Sequence, residues 1–278
     1  MFRKQTGAIL CPRCGRLTHP GAVECLVCGL PRPGRWVWAA GIGRLLRTGN
    51  FTGVVTVACV ALYVATLLID PVSVDGARGP FDLFALFSPS GPALAALGAA
   101  GAMPWHQGYW WTLFTATYLH GGVFHILFNV LWIRQLGPAV GELYGRSRLV
   151  IIFIASGALG FFVSTAVGVR LTVGASAAIF GLLGAMVAYG QKRGGQFGKM
   201  VLREYGLWAA MLFAFGLMPG SRIDNWAHGG GFVGGLVAGL LLSFSERRDE
   251  SMLERALALG LIALTVLGFG LALWTAFV

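Results

Sequence analysis

Seven stretches of this chain are apolar for about the length that crosses a bilayer: 51–70, 123–140, 149–167, 175–191, 205–218, 226–244 and 256–278. A hydrocarbon core about 30 Å thick takes roughly 20 helical residues. Within it, backbone polar groups must be satisfied without water, which leaves helices or a closed barrel. Continuous runs of this kind predict an all-α polytopic membrane protein, a compact helical bundle rather than a barrel. Charge usage agrees: 12% of residues are charged, against about a quarter in soluble domains. The 42 glycines suit closely approaching membrane helices. The fourth and fifth runs are short, as segments lining a polar cavity can be.

Lysine and arginine set the expected orientation, because cytoplasmic loops carry the basic excess. Of 21 such residues, only Arg78, Arg170 and Arg222 fall on one side. The others sit before the first run and in alternate loops, around Arg134 to Arg148, Lys192 to Arg203 and Arg247 to Arg255. The N-terminus is therefore expected in the cytoplasm and the C-terminus outside, in a plasma or bacterial inner membrane. The net charge of +10 is then a topology signal, and nucleic acid is not an expected partner. The N-terminal region shows no apolar signal core or cleavage site, so the first span is expected to direct insertion.

Ahead of the spans, Cys11-x-x-Cys14 and Cys25-x-x-Cys28 form two knuckles, each followed by glycine (Gly15, Gly29). Four thiolates suit tetrahedral Zn²⁺, and so short a segment cannot bury a core of its own. Iron remains an alternative metal. Disulfides are disfavoured by a reducing cytoplasm. The expected organisation is a zinc-ribbon-like head at 1–34, a basic linker at 35–50, a six-helix core at 51–245, and a loop with a seventh helix at 246–278. His19 reads as a loop residue and Cys59 as packing, while Trp36 and Trp38 suit the headgroup level. The head suits docking of a cytoplasmic protein partner, with redox sensing as the alternative.

Two residues carry possible chemistry. Ser176 opens the fourth run within Gly174-Ala175-Ser176-Ala177-Ala178-Ile179-Phe180-Gly181, and His228 lies in the sixth. An imidazole at membrane depth is a functional hypothesis by default, and a serine beside it is a nucleophile with a general base. Alone, Ser176 reads equally as a helix cap, and His228 as a proton-relay or metal site. Gly231 and Gly235 follow His228 at i+3 and i+7 and give that helix a small face for tight packing. In the second run His125 and Asn129 are i and i+4, on one face. They are two donors with no acid nearby, suited to charge that appears only in a transition state, or to interhelical packing. His120 is nearer the outer boundary and suits bracing of the loop.

Taken together, His120…His125-x-x-x-Asn129, Gly174-x-Ser176-x-x-x-Phe180-Gly181 and Ala227-His228-x-x-Gly231-x-x-x-Gly235 resemble the rhomboid intramembrane serine proteases over about residues 51–245. The resemblance implies a six-helix core, here with one added C-terminal helix. It implies Ser176 as nucleophile and His228 as base, with no cofactor for catalysis. His125, Asn129 and the Ser176 amide would form the oxyanion hole. Phe180 would support the imidazole, and Glu142 would be a structural acid. Where relatives often carry Trp-Arg in the first external loop, this chain has Trp110-Trp111. Asp224, at i−4 from His228, is expected to face external water rather than complete a triad. The implied substrates are single-pass transmembrane proteins, cut near the external end of their span where Gly or Pro weakens the helix. The alternatives are a catalytically silent rhomboid-like protein that binds membrane clients, and a transporter using the histidines as a relay.

Overall fold

The computed structural model describes residues 8–11, 16–36, 51–70, 87–219, 221, 223–246 and 248–277, except for a few side chains at element ends, those of Arg35 and Trp36 among them. The chain divides into two units, Met1–Val54 and Val55–Val278. In the first, strands β1 (Ile9–Leu10) and β2 (Leu17–Thr18) pair antiparallel, with Ile9 opposite Thr18. The second knuckle closes with Gly29 at φ 68° and its N–H on the Cys25 carbonyl at 2.8 Å. The linker from 37 to 50, with Trp38, lies outside the described residues.

Among the described residues seven long helices follow, one over each apolar run: α1 Phe51–Ile69, α2 Val123–Tyr144, α3 Arg146–Ala166, α4 Ser176–Arg193, α5 Gly195–Gly216, α6 Asn225–Leu241 and α7 Met252–Phe277. Among the described residues the strands are confined to the head, so the chain is all-α and polytopic as expected. Helices α1, α2, α3 and α7 are long and apolar enough to cross a membrane. Helix α4 is the core of the second unit. Each residue from Ala177 to Gly190 is buried, and α2, α3, α5 and α6 pack around it. Eight of the eighteen α4 residues are alanine, glycine or serine, so neighbouring helices can approach closely.

Two expectations need correction. The fifth span is not a short run at 205–218, because α5 starts at Gly195 and carries Lys199, Arg203 and Glu204 at exposed positions. The basic stretch read as loop is the amphipathic first half of a helix. The structural acid at this end is not Glu142, which is exposed. It is Glu254, at the start of α7, paired with a wholly buried Arg148. The guanidinium meets Glu254 with Nε and Nη2 at 2.8 and 3.1 Å. It also donates to the carbonyls of Tyr144, Arg248 and Asp249. All five of its N–H donors are thereby used. The carboxylate also accepts from Arg248 and Ser251.

Between α1 and α2, on the side that the basic-residue pattern places externally, the chain forms short helices at Gly91–Ala96, Ala102–His106 and Thr112–Thr115, then a 3-10 turn at Ala116–Tyr118. Ser90 caps the first through Oγ, on the Ala93 N–H at 3.1 Å. Ala100 and Thr172 exchange two backbone hydrogen bonds, of 3.1 and 2.8 Å. This bridge ties the hairpin to the connector that leads into Ser176.

Removing one member of a buried ion pair typically costs about 3–5 kcal/mol, because its partner stays buried and uncompensated. Arg148→Met is expected to lose about that much unfolding free energy in mixed micelles. Arg148→Met/Glu254→Met is expected to recover most of it, since both charges then leave together. Equal losses in the single and double variants would contradict this account.

Candidate active site

Ser176 sits where a strained turn becomes a helix. Gly174 has φ +128°, a region that side chains with a Cβ rarely occupy. Its N–H donates to the Ala116 carbonyl at 3.0 Å, which anchors the turn to the segment of short helices between α1 and α2. The N-cap of α4 is Ala175, without a side-chain cap, so Ser176 is the first helical residue and is not used as a cap. Its amide is one of the first-turn N–H groups that have no intrahelical acceptor, at the end where the helix dipole favours negative charge. Between Gly174 and Gly190, Ser176 is the one residue that is not buried. Its hydroxyl has access that its neighbours lack.

His228 lies in the first turn of α6, 6% exposed. The contact between α4 and α6 is backbone on backbone. A Cβ on Gly231 would overlap the Ala177 carbonyl oxygen, and one on Gly235 would overlap that of Gly181. The helix turn beginning at His228 is therefore packed directly on the turn beginning at Ser176. Phe180, one turn into α4, stacks face to face on the imidazole, with centroids 4.2 Å apart and planes within 18°. His228 Nδ1 has no hydrogen-bond partner among the described residues, so this ring is held by stacking. No hydrogen bond joins the imidazole to the Ser176 hydroxyl among those residues, and such contacts often tighten only when substrate binds.

Asp224 does not simply face water. It caps α6, accepting from Trp226 N and Ala227 N at 3.1 and 3.0 Å, and takes a short hydrogen bond from the buried Ser164 hydroxyl of α3. Its oxygens are committed to the backbone and to Ser164. Asp224 thus fixes where α6 begins, four residues before His228, and sequence reading missed this role. The N-cap position of an acidic residue was the signal that could have found it.

On α2 the Gly121 N–H donates to His125 Nδ1 at 3.3 Å. Nδ1 is thus an acceptor, and the neutral ring carries its proton on Nε2. A Cβ placed on Gly174 would lie 2.5 Å from His125 Nε2 and 3.7 Å from Ser176 Oγ. The Nε2–H donor therefore borders the same small space as the serine hydroxyl. Asn129 gives one N–H to the His125 carbonyl at 2.7 Å, which leaves its second N–H free of that bond. His120 is wholly buried with its ring edge-on to His125, centroids 5.1 Å apart, and neither nitrogen has a partner among the described residues. Between α1 and α2, Trp111 is buried and stacks on Tyr109, while Trp110 is exposed.

In the head, the sulfur atoms of Cys11, Cys25 and Cys28 lie within 4.8 Å of one another, and no disulfide joins them. Cys11 and Cys28 are 3.7 Å apart. Zn–S bonds of ~2.3 Å set the edge of a tetrahedron at ~3.8 Å, so these residues fit a tetrahedral thiolate site. Cys14, the fourth expected ligand, lies outside the described residues. His19 is exposed, and its Nδ1 accepts from Gly21 N at 3.1 Å. It is a loop residue, as read.

Comparison with known proteins converges on one set of relatives. The Rhomboid domain family model matches residues 107–245. "Rhomboid protease GluP" of Bacillus subtilis (strain 168) is 36% identical over 61% of this chain, and the chain spans 34% of that protein's length. "RHOMBOID-like protein 5" of Arabidopsis thaliana is 31% identical over 74% of the chain and 68% of its own length. "Rhomboid protease GlpG" of Salmonella choleraesuis (strain SC-B67) is 28% identical over 72% of the chain and 64% of its own length.

The α4–α6 contact leaves no room for a side chain, and backbone cannot rotate away as a side chain can. Gly235→Val is expected to lower the unfolding midpoint of the purified protein well below that of Gly260→Val, whose site on α7 has nothing within 4 Å. Overpacking of this kind typically costs about 1–3 kcal/mol. Matching midpoints for the two variants would contradict the packing described.

Proposed function

Because the chain belongs to the rhomboid family of integral membrane proteins, we propose that it is an intramembrane serine endopeptidase that cuts single-pass transmembrane proteins through a Ser176–His228 dyad. The observation that carries this reading is the α4–α6 contact. It sets the first turn of the serine helix on the first turn of the histidine helix, with Phe180 stacked on the imidazole.

In this mechanism His228 accepts the Ser176 proton through Nε2 as Oγ attacks a substrate carbonyl carbon. The carbonyl oxygen becomes an anion beside the His125 Nε2–H, the Ser176 amide and the remaining Asn129 N–H. Donors fixed in advance at the place where charge develops stabilise that step most. The imidazolium then gives its proton to the departing amine, the C–N bond breaks, and an acyl ester remains on Ser176. Water, with its proton drawn by His228, releases the carboxylate and restores the serine. A substrate helix hides its carbonyls in i→i−4 bonds, so cleavable segments carry weak helix formers near the external membrane boundary. The basic-residue pattern supports a cytoplasmic N-terminus and an external C-terminus in the plasma or bacterial inner membrane. The cysteines at 11, 14, 25 and 28 fit a structural Zn²⁺ that cross-links the head and takes no part in the reaction.

Ser176→Ala and His228→Ala are each expected to abolish cleavage of a reporter single-pass substrate in liposomes, with unfolding midpoints unchanged. His125→Ala is expected to slow cleavage by ~10²–10³, the usual loss for one oxyanion donor. Cleavage retained by purified Ser176→Ala, or no labelling of the native protein by a fluorophosphonate, would refute the reading in favour of a client-binding rhomboid-like protein.

Metal analysis of the purified full chain is expected to find zinc, and Cys11→Ser to reduce it. A red iron–thiolate absorption in place of zinc would overturn that assignment.

A further inference from the structure

Helix α7 lies beyond the matched rhomboid domain, which ends at residue 245, yet it is held at both ends. Its start is locked to α3 by the Arg148–Glu254 pair. Its far half presses on the hairpin. A Cβ on Gly268 would lie 3.1 Å from Thr115 Cγ2 and 3.3 Å from the Trp111 carbonyl oxygen. Phe269 sits edge-on to Tyr118, with centroids 5.8 Å apart. Ala272 Cβ is 3.3 Å from the Cβ position of Gly98. Thr115 Oγ1 in turn donates to the Gly98 carbonyl at 2.6 Å, closing the hairpin on itself.

The next residue, Ala116, is wholly buried and supplies the carbonyl that accepts the Gly174 N–H. A continuous line of contact thus runs from Gly268, Phe269 and Ala272 through Thr115 and Ala116 to the turn that presents Ser176. We propose that α7 is a positioning element for this turn, and that its packing on the hairpin sets the alignment of the Ser176 amide and the His125 Nε2–H. If the hairpin retreats, the buried Gly174 N–H loses its acceptor. The strained turn at φ +128° is then no longer held. Displacements of about 1 Å at catalytic groups cost on the order of 10²-fold in rate. The functional half of this inference rests on the protease reading, whereas the structural coupling does not.

The test uses the full chain in nanodiscs, with Gly268→Leu, Phe269→Ala and, as control, Leu259→Ala, whose side chain is 67% exposed on the same helix. Hydrogen exchange at 172–176 is expected to quicken at least ~10-fold in the first two variants and to stay unchanged in the third. Cleavage of the reporter substrate is expected to lose kcat by ~10-fold or more, with KM nearly constant, because the displaced groups act on the transition state. Phe269→Ala keeps the test open should Gly268→Leu fail to fold. Unchanged exchange at 172–176 would overturn the coupling. Quickened exchange with unchanged kcat would overturn its catalytic role. A native protein that neither cleaves nor labels would refute the protease reading separately, while the exchange result still decides the coupling.

Discussion

The structure depends on one contact made without side chains: the approach of α6 to α4 at Gly231 and Gly235. Between membrane helices no hydrophobic effect favours association, because lipid tails are as apolar as leucine. Close van der Waals packing must supply the attraction, and it strengthens as the backbones near one another. Here the carbonyls of Ala177 and Gly181 lie where ordinary side chains would stand. The two residues with reactive groups are carried on the turns next to this contact. Their mutual placement is thus set by backbone geometry, which varies less than rotamers do.

Around that contact the molecule is arranged as successive supports. The ring of His228 is held by Phe180 from α4, and the beginning of its helix by Asp224 with Ser164 from α3. The turn before Ser176 is held by the Ala116 carbonyl and by the bridge between Ala100 and Thr172. The donor face of His125 is fixed by the Gly121 amide. The supports come from α3, α4 and the segment between α1 and α2, which alone supplies Ala100, Ala116 and Gly121. From Ala177 to Gly190 α4 is closed, while Ser176 just before that stretch stays accessible.

Much of this was legible in the sequence, for identifiable reasons. The seven helices are visible as apolar runs because the bilayer demands length and continuity. The small face carrying Gly231 and Gly235 follows from helical periodicity. What stayed hidden depended on tertiary partners. Arg148 reads as one more cytoplasmic charge, and only the fold reveals that Glu254 meets it at a separation of 106 residues. The resemblance suggests Glu142 as the structural acid, but that residue is exposed. The basic residues of the first half of α5 interrupt the apolar pattern and so mimic a loop, although they occupy exposed positions of a helix. Asp224, placed at i−4 from His228, serves the backbone instead of the imidazole. His125 shows the opposite case: its placement on one face with Asn129 was legible, but its tautomer required the Gly121 amide.

The Arg148–Glu254 pair also imposes an order on biosynthesis. Translation at ~5–20 residues per second separates the two by about 5–20 s, and α3 is made first. Throughout that interval the guanidinium lacks its carboxylate and, of its described partners, can reach only the Tyr144 carbonyl, since Arg248, Asp249 and Glu254 are all made later. The contact between α3 and α7 is therefore among the latest that the described residues can make.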